Sequence, residues 1–135
     1  MDENREFDPY GPGCPSRQLV DRIGSRWTIL IIGVLSAGPA RYSEIAAGVA
    51  GISPKMLSQT LKALERDGMV TRHAFAEVPP RVVYELTTTG ASLRPVLLSV
   101  EQWARDNMPA VLAAREVYDS IALPASPAGV VGSSE

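Results

Sequence analysis

The sequence predicts a mainly α-helical chain that carries one β-hairpin, on three observations. Apolar residues recur at helical spacing through most of residues 15–66. After Gly68 the pattern turns β-rich and extended for two short runs before helical spacing returns. Serine, proline and glycine also fall where helices begin and end, most clearly at Ser53, Pro54 and Gly68. The chain has 135 residues, which is enough for one domain with a real core.

Cys14-Pro15 precedes SRQLVDRI, where Leu19, Val20 and Ile23 place an apolar stripe on a short helix. Gly24-Ser25 interrupts it. Trp27 to Leu35 is apolar nearly all round, the mark of a central buried helix, and Gly38-Pro39 stops it. Tyr42 to Val49 is a third, short helix with Ile45, Ala46 and Val49 inward, and Gly51-Ile52 is the turn that follows. Ser53 then caps a helix that has Pro54 at its first position, runs to Asp67 and closes at Gly68.

Met69–Phe75 and Arg81–Thr87 read as two strands joined by residues 76–80, whose Pro79-Pro80 pair makes a stiff, exposed hairpin tip. Thr88 or Thr89 can cap a long helix running to about Asn107, with Val96, Leu97, Val100, Trp103 and Ala104 on a broad apolar face. Pro109 is expected to break it, leaving Ala110–Ile121 as a last helix. The stretch from Pro124, rich in Pro, Gly, Ser and Ala, reads as a disordered tail over 124–135.

Composition narrows the function. The single cysteine excludes an internal disulfide framework and a cysteine-rich zinc site, and the single histidine leaves no basis for a His-ligated metal or a Ser–His–Asp hydrolase. The chain is thus expected to be no enzyme and to need no cofactor or metal. Residues 1–11 are acidic and polar, without the apolar stretch of a signal peptide, and the run around Trp27–Ala37 is about half of a bilayer span. A cytoplasmic protein without a membrane partner is the expectation.

The formal charge of −2, from 13 basic and 15 acidic residues, conceals a segregation. Residues 1–13 form an acidic arm with four acids (Asp2, Glu3, Glu6, Asp8) against Arg5. Residues 14–85 hold nine bases and six acids, and residues 86–135 three bases and five acids. Binding to a polyanion depends on the local patch, so the basic middle matters more than the sum.

On the capped helix, Lys55, Gln59, Lys62 and Arg66 fall within about 60° of one another, with Ser58 at the margin, while Leu57, Leu61 and Leu64 lie opposite. Lysine can bind phosphate or guanine acceptors, glutamine can pair with adenine, and serine can do either. Helix, tight turn, capped helix and hairpin is the order of a winged helix-turn-helix. Arg81, beside the hairpin tip, is placed to reach a flanking phosphate or the minor groove, and Arg41 to touch the DNA backbone. Each piece has a plainer reading: a solvated helix face, or a merely rigid loop. Winged helices also serve as protein-interaction modules, and a small thiol redox protein without DNA binding is a further alternative, although no Cys-x-x-Cys supports it.

The stretches CPSRQLVDRIGSRWTILI, GPARYSEI, GISPKMLSQTLKALERDGMVTR and EVPPRVVYELTTTGASLRPVL resemble the HxlR family of bacterial winged-helix transcription regulators, relatives of the MarR group. The likeness runs from about Cys14 to Trp103. It implies a winged helix-turn-helix over 14–87 and a helical dimerisation segment over 88–123. It also implies a homodimer on a palindromic double-stranded DNA operator. Ser53–Asp67 becomes the recognition helix and Val70–Thr87 the wing. Lys55, Ser58 and Gln59 match recognition-helix positions, and Arg81 the wing arginine. Gly-Ser-Arg-Trp at 24–27 stands where Gly-Gly-Lys-Trp is more usual, and the chain beyond Trp103 departs further.

The expected DNA-contact set is therefore Arg41, Ser53, Lys55, Ser58, Gln59, Lys62, Arg66 and Arg81. Two recognition helices must sit about 34–36 Å apart to enter successive major grooves. The terminal helices would set that distance through Leu93, Leu97, Val100, Trp103 and Val111, unless these residues only cover the monomer core. Cys14 lies at a helix start, where the backbone dipole favours a thiolate. Several members of the family use a cysteine here to sense an oxidant or electrophile. The alternative is an inert cysteine buried against Trp27. His73 reads as an ordinary wing residue.

Overall fold

Residues 7–122 are described by the computed structural model; Met1–Glu6 of the acidic arm and the expected tail over 124–135 lie outside them. Two compact units divide after Leu97, as Met1–Leu97 and Leu98–Glu135.

In the first unit, α1 (Pro15–Ile23) and α2 (Arg26–Leu35) are separated by Gly24-Ser25, as expected from the break in apolar spacing. Helix α2 buries Thr28, Ile31, Ile32 and Leu35, but Leu30 is exposed. An almost continuous apolar run thus sinks only one side. On α1, Ile23 packs against the core while Leu19 and Val20 remain exposed. A two-residue strand, β1 (Ala40–Arg41), leads into α3 (Tyr42–Gly48).

Helix α4 (Pro54–Arg66) has the predicted ends. The Ser53 side chain accepts a hydrogen bond from Met56 N at 3.1 Å, and Pro54 occupies the first turn, where its missing N–H has no helical partner to lose. At the other end Gly68 has φ +76°. Met69 N donates to Leu64 O at 2.9 Å and Gly68 N to Glu65 O at 3.1 Å, the paired bonds that close a helix on a left-handed residue. Leu57, Leu61 and Leu64 are buried with Ile31, Ile32, Leu35, Ile45 and Val49. An ion pair from Arg22 Nε to Asp67 Oδ2 at 2.7 Å ties α1 to the end of α4.

Strands β2 (Val70–Phe75) and β3 (Arg81–Leu86) form the expected hairpin, from Val70 opposite Leu86 to Phe75 opposite Arg81. Strand β1 adds to its outer edge, giving the order β1-β3-β2 with Ala40 opposite Tyr84 and Arg41 opposite Val83. The sheet is therefore three-stranded. Alternation along β3 puts Val82, Tyr84 and Leu86 on one face and Arg81, Val83 and Glu85 on the other. Tyr84 and Leu86 pack on the core, and Ala40 and Val70, on that same face, are buried.

The C-terminal helices differ from expectation in three ways. Thr87, rather than Thr88 or Thr89, is the cap: its Oγ1 accepts from Gly90 N at 3.1 Å and donates to Gly68 O at 2.6 Å. The helix it starts, α5 (Thr88–Ser92), stops at Leu93 before α6 (Arg94–Ala122) begins. Pro95 is the reason, since it cannot donate to the carbonyl of Ala91 and is tolerated only in a first turn. Pro109, by contrast, lies inside α6 and does not end it. A proline costs about 3 kcal/mol in a helix interior, and the length of helix on either side of Pro109 offsets that loss. Among nearby side chains, Asn107 Nδ2 donates to Trp103 O at 2.9 Å.

Leu97 is buried and Leu93 partly buried against the core of the first unit. In the second unit Val100, Trp103, Leu112, Val117, Tyr118 and Ile121 are all exposed.

Gly90 is buried, and a Cβ there would collide with the carbonyl oxygen of Met69, which also accepts from Thr87 N at 3.0 Å. Gly90→Ala must separate α5 from the base of the wing. Urea and thermal unfolding should show a loss of about 3 kcal/mol, lowering Tm by roughly 10 °C.

Candidate nucleic-acid interface

Because its leucines are locked in the core, α4 presents its opposite side. Lys55, Gln59, Lys62 and Arg66 are all exposed there. Ser53 and Ser58, expected beside them, already have work within the fold. The Ser53 hydroxyl oxygen caps α4. Ser58 is half-buried, 3.3 Å from the Tyr42 hydroxyl, which itself donates to Pro54 O at 3.0 Å. With the single Tyr42 proton committed to Pro54, Ser58 must donate to Tyr42. These contacts fix α3 against the first turn of α4, so Tyr42 positions the stripe, a role its sequence context did not signal. Met56, 38% exposed, adds an apolar contact surface next to Lys55 and Gln59.

Arg41 precedes α3 and its backbone N–H donates to Glu44 Oε1 at 2.7 Å, leaving the guanidinium on the exposed surface. Strand register puts Arg41 on the same sheet face as Val83 and Arg81.

Arg81 is engaged rather than extended into solvent. Its Nη2 donates to Glu77 Oε2 at 2.9 Å, and its Nε lies 3.3 Å from each oxygen of the same carboxylate. The guanidinium carbon stands 4.0 Å from the Phe75 ring centroid, within the range of a cation–π contact. The hydrogen bonds from Arg81 hold the Glu77 carboxyl below its ordinary value, against a smaller desolvation effect, and the charges of Arg81 and Arg41 act in the same direction. The bonds to Glu77 correspondingly raise the Arg81 pKa. Glu77 is the feature that the expected site lacked. Its i, i+4 spacing to Arg81 was visible, but such spacing signals contact on a helix and not across a Pro-Pro loop. His73 Nε2 lies 3.1 Å from Glu85 Oε1 on the wing.

Cys14 is at the N-cap position of α1 and half-buried. The guanidinium carbon of Arg26 is 4.4 Å from the Trp27 ring centroid. A cavity of about 350 Å³ opens between α1, the start of α2 and α4, lined by Gln18, Asp21, Arg22, Ser25, Thr28, Met56, Gln59 and Thr60. Among the described residues no group of His, Cys, Asp and Glu side chains is placed to hold a metal, and no helix is long and apolar enough to cross a membrane.

Residues 22–111 match the family model described as HxlR-like helix-turn-helix. The chain is 38% identical over 112 residues to the uncharacterized HTH-type transcriptional regulator YtfH of Escherichia coli K12, covering 83% of this chain and 89% of that protein. Among solved structures, the putative transcriptional regulator YtfH from Salmonella typhimurium superposes with a TM-score of 0.73 at 39% identity, over 79% of this chain and 96% of that one. The reduced form of the transcriptional regulator YodB from B. subtilis gives a TM-score of 0.60 at 40% identity, over 67% and 90% of the two chains. YodB is also matched in diamide-treated and quinone-bound forms.

The wing pair has a direct check. A depressed carboxyl pKa means that the pair is fully formed above the ordinary value of 4.5 and is lost only as pH falls through the lower, folded value. In an NMR pH titration the Glu77 side-chain carboxyl should have its midpoint below 4.5, and Arg81→Gln should move it upward. An identical midpoint in the variant would show that the pair does not form in solution.

Proposed function

Since the chain belongs to the HxlR family of winged-helix transcriptional regulators, we propose that it binds an operator in double-stranded DNA as a homodimer, reading sequence with α4. The exposed Lys55-Gln59-Lys62-Arg66 stripe carries this reading, because it lies opposite three buried leucines on a helix capped at both ends. Gln59 is suited to a base edge, and Lys55, Lys62 and Arg66 to phosphate or guanine. Arg41 and Arg81 supply flanking contacts from the wing face. Ser53 and Ser58 contribute chiefly by holding the helix in place.

Homodimerisation is supported by α6. Val100, Trp103, Val111, Tyr118 and Ile121 recur at spacings of three, seven and eight residues and share one side of the helix. All but Val111 are strongly exposed in the single chain, with Trp103 at 64% and Tyr118 at 72%. An apolar stripe of this kind is the seam of a helix–helix interface. Leu93 and Leu97 belong to the monomer core, so the proposed interface shifts toward the C-terminal end of the helix.

We further propose that Cys14 lets an oxidant or electrophile modulate DNA binding. The half-buried thiol at the α1 N-cap and the likeness to YodB support this. With one cysteine per chain, the product is an intersubunit disulfide, a mixed disulfide or an adduct.

Selection from a random duplex library, followed by anisotropy titration, tests the central reading. The wild-type chain should enrich one palindromic sequence. Gln59→Ala should weaken binding to it by about tenfold, and Lys55→Ala/Lys62→Ala should lower affinity for all duplexes and flatten the salt dependence. No enrichment, or equal binding by all variants, would overturn the reading. Sedimentation should give a dimer that Trp103→Glu converts to monomer with an unchanged helical spectrum. DNA binding that still responds to diamide in Cys14→Ser would exclude Cys14 as the sensor.

A further inference from the structure

Among the described residues no carboxylate forms an ion pair with Lys55, Lys62 or Arg66, whereas the wing arginine is paired with Glu77. Glu77 N donates to Phe75 O at 2.9 Å, a tight turn that directs the chain back over the end of β3. Val78, Pro79 and Pro80 then restrict the loop, because each proline fixes its own φ and constrains the residue before it. This short, stiff connection holds the Glu77 carboxylate against the side edge of the Arg81 guanidinium, through Nε and Nη2, while Phe75 covers a face. A guanidinium has five N–H donors. Gripped on this edge, it keeps the Nη1 amino group and one hydrogen of Nη2 outside the pair. The result is a group with no net charge that still donates hydrogen bonds in a fixed direction. Arg41 shares the sheet face and adds to the field at Glu77.

We propose that Glu77 is a specificity-determining residue of the wing. It cancels the attraction of Arg81 for phosphate while leaving that side chain able to donate to the uncharged acceptors on minor-groove base edges. The inference rests on the reading that the wing meets DNA. A bare arginine strengthens binding to every duplex, because each neutralised phosphate releases counterions whatever the sequence. A neutralised arginine loses that general contribution and keeps the geometric one. Phe75 is a positioning residue in this arrangement: its ring limits the guanidinium to one plane.

The test uses the full chain, a mixed-sequence 30-bp duplex and the best duplex from the library selection, each titrated by anisotropy across a salt series. Glu77→Gln should tighten binding to the mixed-sequence duplex roughly threefold and steepen its log–log salt dependence by about 0.9 per bound chain. Affinity for the selected duplex should change less, so the ratio between the two falls. Glu77→Asp should restore part of that ratio. In an Arg81→Gln background Glu77→Gln should have no effect on either duplex. Thermal unfolding of Glu77→Gln, at an exposed tip, is the control for folding. An unchanged salt slope and ratio would overturn the proposal. The same shift without Arg81 would also overturn it, because Glu77 would then act through general repulsion. A wild-type chain that enriches no sequence would overturn the regulator reading as well, whereas a wild type that does so with an inert Glu77→Gln overturns this proposal alone.

Discussion

The burial of Leu57, Leu61 and Leu64 sets the orientation of everything that follows in this molecule. These side chains fill the centre of the core, where Ile31, Ile32 and Ile45 meet them, so α4 has no freedom to rotate about its axis. A rotation of one residue's worth, about 100°, would drive a lysine into that core. The polar stripe is therefore directed outward by what the opposite face buries. Capping then limits its length: Ser53 and Gly68 end the helix so that Lys55 and Arg66 both fall inside it. The Tyr42–Ser58 and Tyr42–Pro54 contacts hold its first turn, and the Arg22–Asp67 pair holds its last. A surface meant to match the spacing of base edges needs this rigidity, since misplacement by an ångström breaks a hydrogen bond.

Much of this was legible in the amino-acid order because the forces are local. A serine–proline start, a glycine stop and a leucine period specify α4 without reference to the rest of the chain. The hairpin was legible for the same reason. Strand β1 was not: Ala40 and Arg41 are too few to show a period, and they become a strand only by pairing with Tyr84 and Val83. The break before Arg94 and the continuity through Pro109 also escaped local rules. One proline falls in a first turn, where it is tolerated. The other falls mid-helix, where the turns on either side outweigh one lost bond. Ser53 and Ser58 illustrate a different limit, since residue type announces a hydrogen-bonding group but not the partner that claims it. Leu97 and Val100 show the same limit for apolar residues: both suit an interface, and only the first is buried in the core.

Charge distribution links the fold to the proposed function. The near-neutral total gives the chain little overall attraction for nucleic acid, so binding must rest on local basic patches. The basic excess of residues 14–85 is small, and several of those bases already have partners: Arg22 pairs with Asp67, Arg26 lies over the Trp27 ring and Arg81 pairs with Glu77. The exposed stripe of α4 is what remains concentrated on one element. The proposed dimer would double that stripe and require both copies to fit at once, so that modest contacts in each half multiply into discrimination between sequences.

The same economy explains why an acid should stand beside the wing arginine at all. In a strongly basic protein a neutralised arginine would matter little, as the remaining charges would hold any duplex. Here acids offset the bases, and on the proposed reading one additional unpaired arginine on the wing face, beside Arg41, would add to the phosphate-seeking charge there. Its effect would fall equally on operator and non-operator DNA, and therefore on the wrong side of the ratio that decides occupancy in a genome. Pairing Arg81 with Glu77 removes that indiscriminate share while the stiff loop and the Phe75 ring keep the donors oriented. Rigidity in α4 and charge cancellation in the wing are then two means to one end. On the proposed reading, both make binding depend on the match between fixed donors and a particular base sequence rather than on the phosphates common to all DNA.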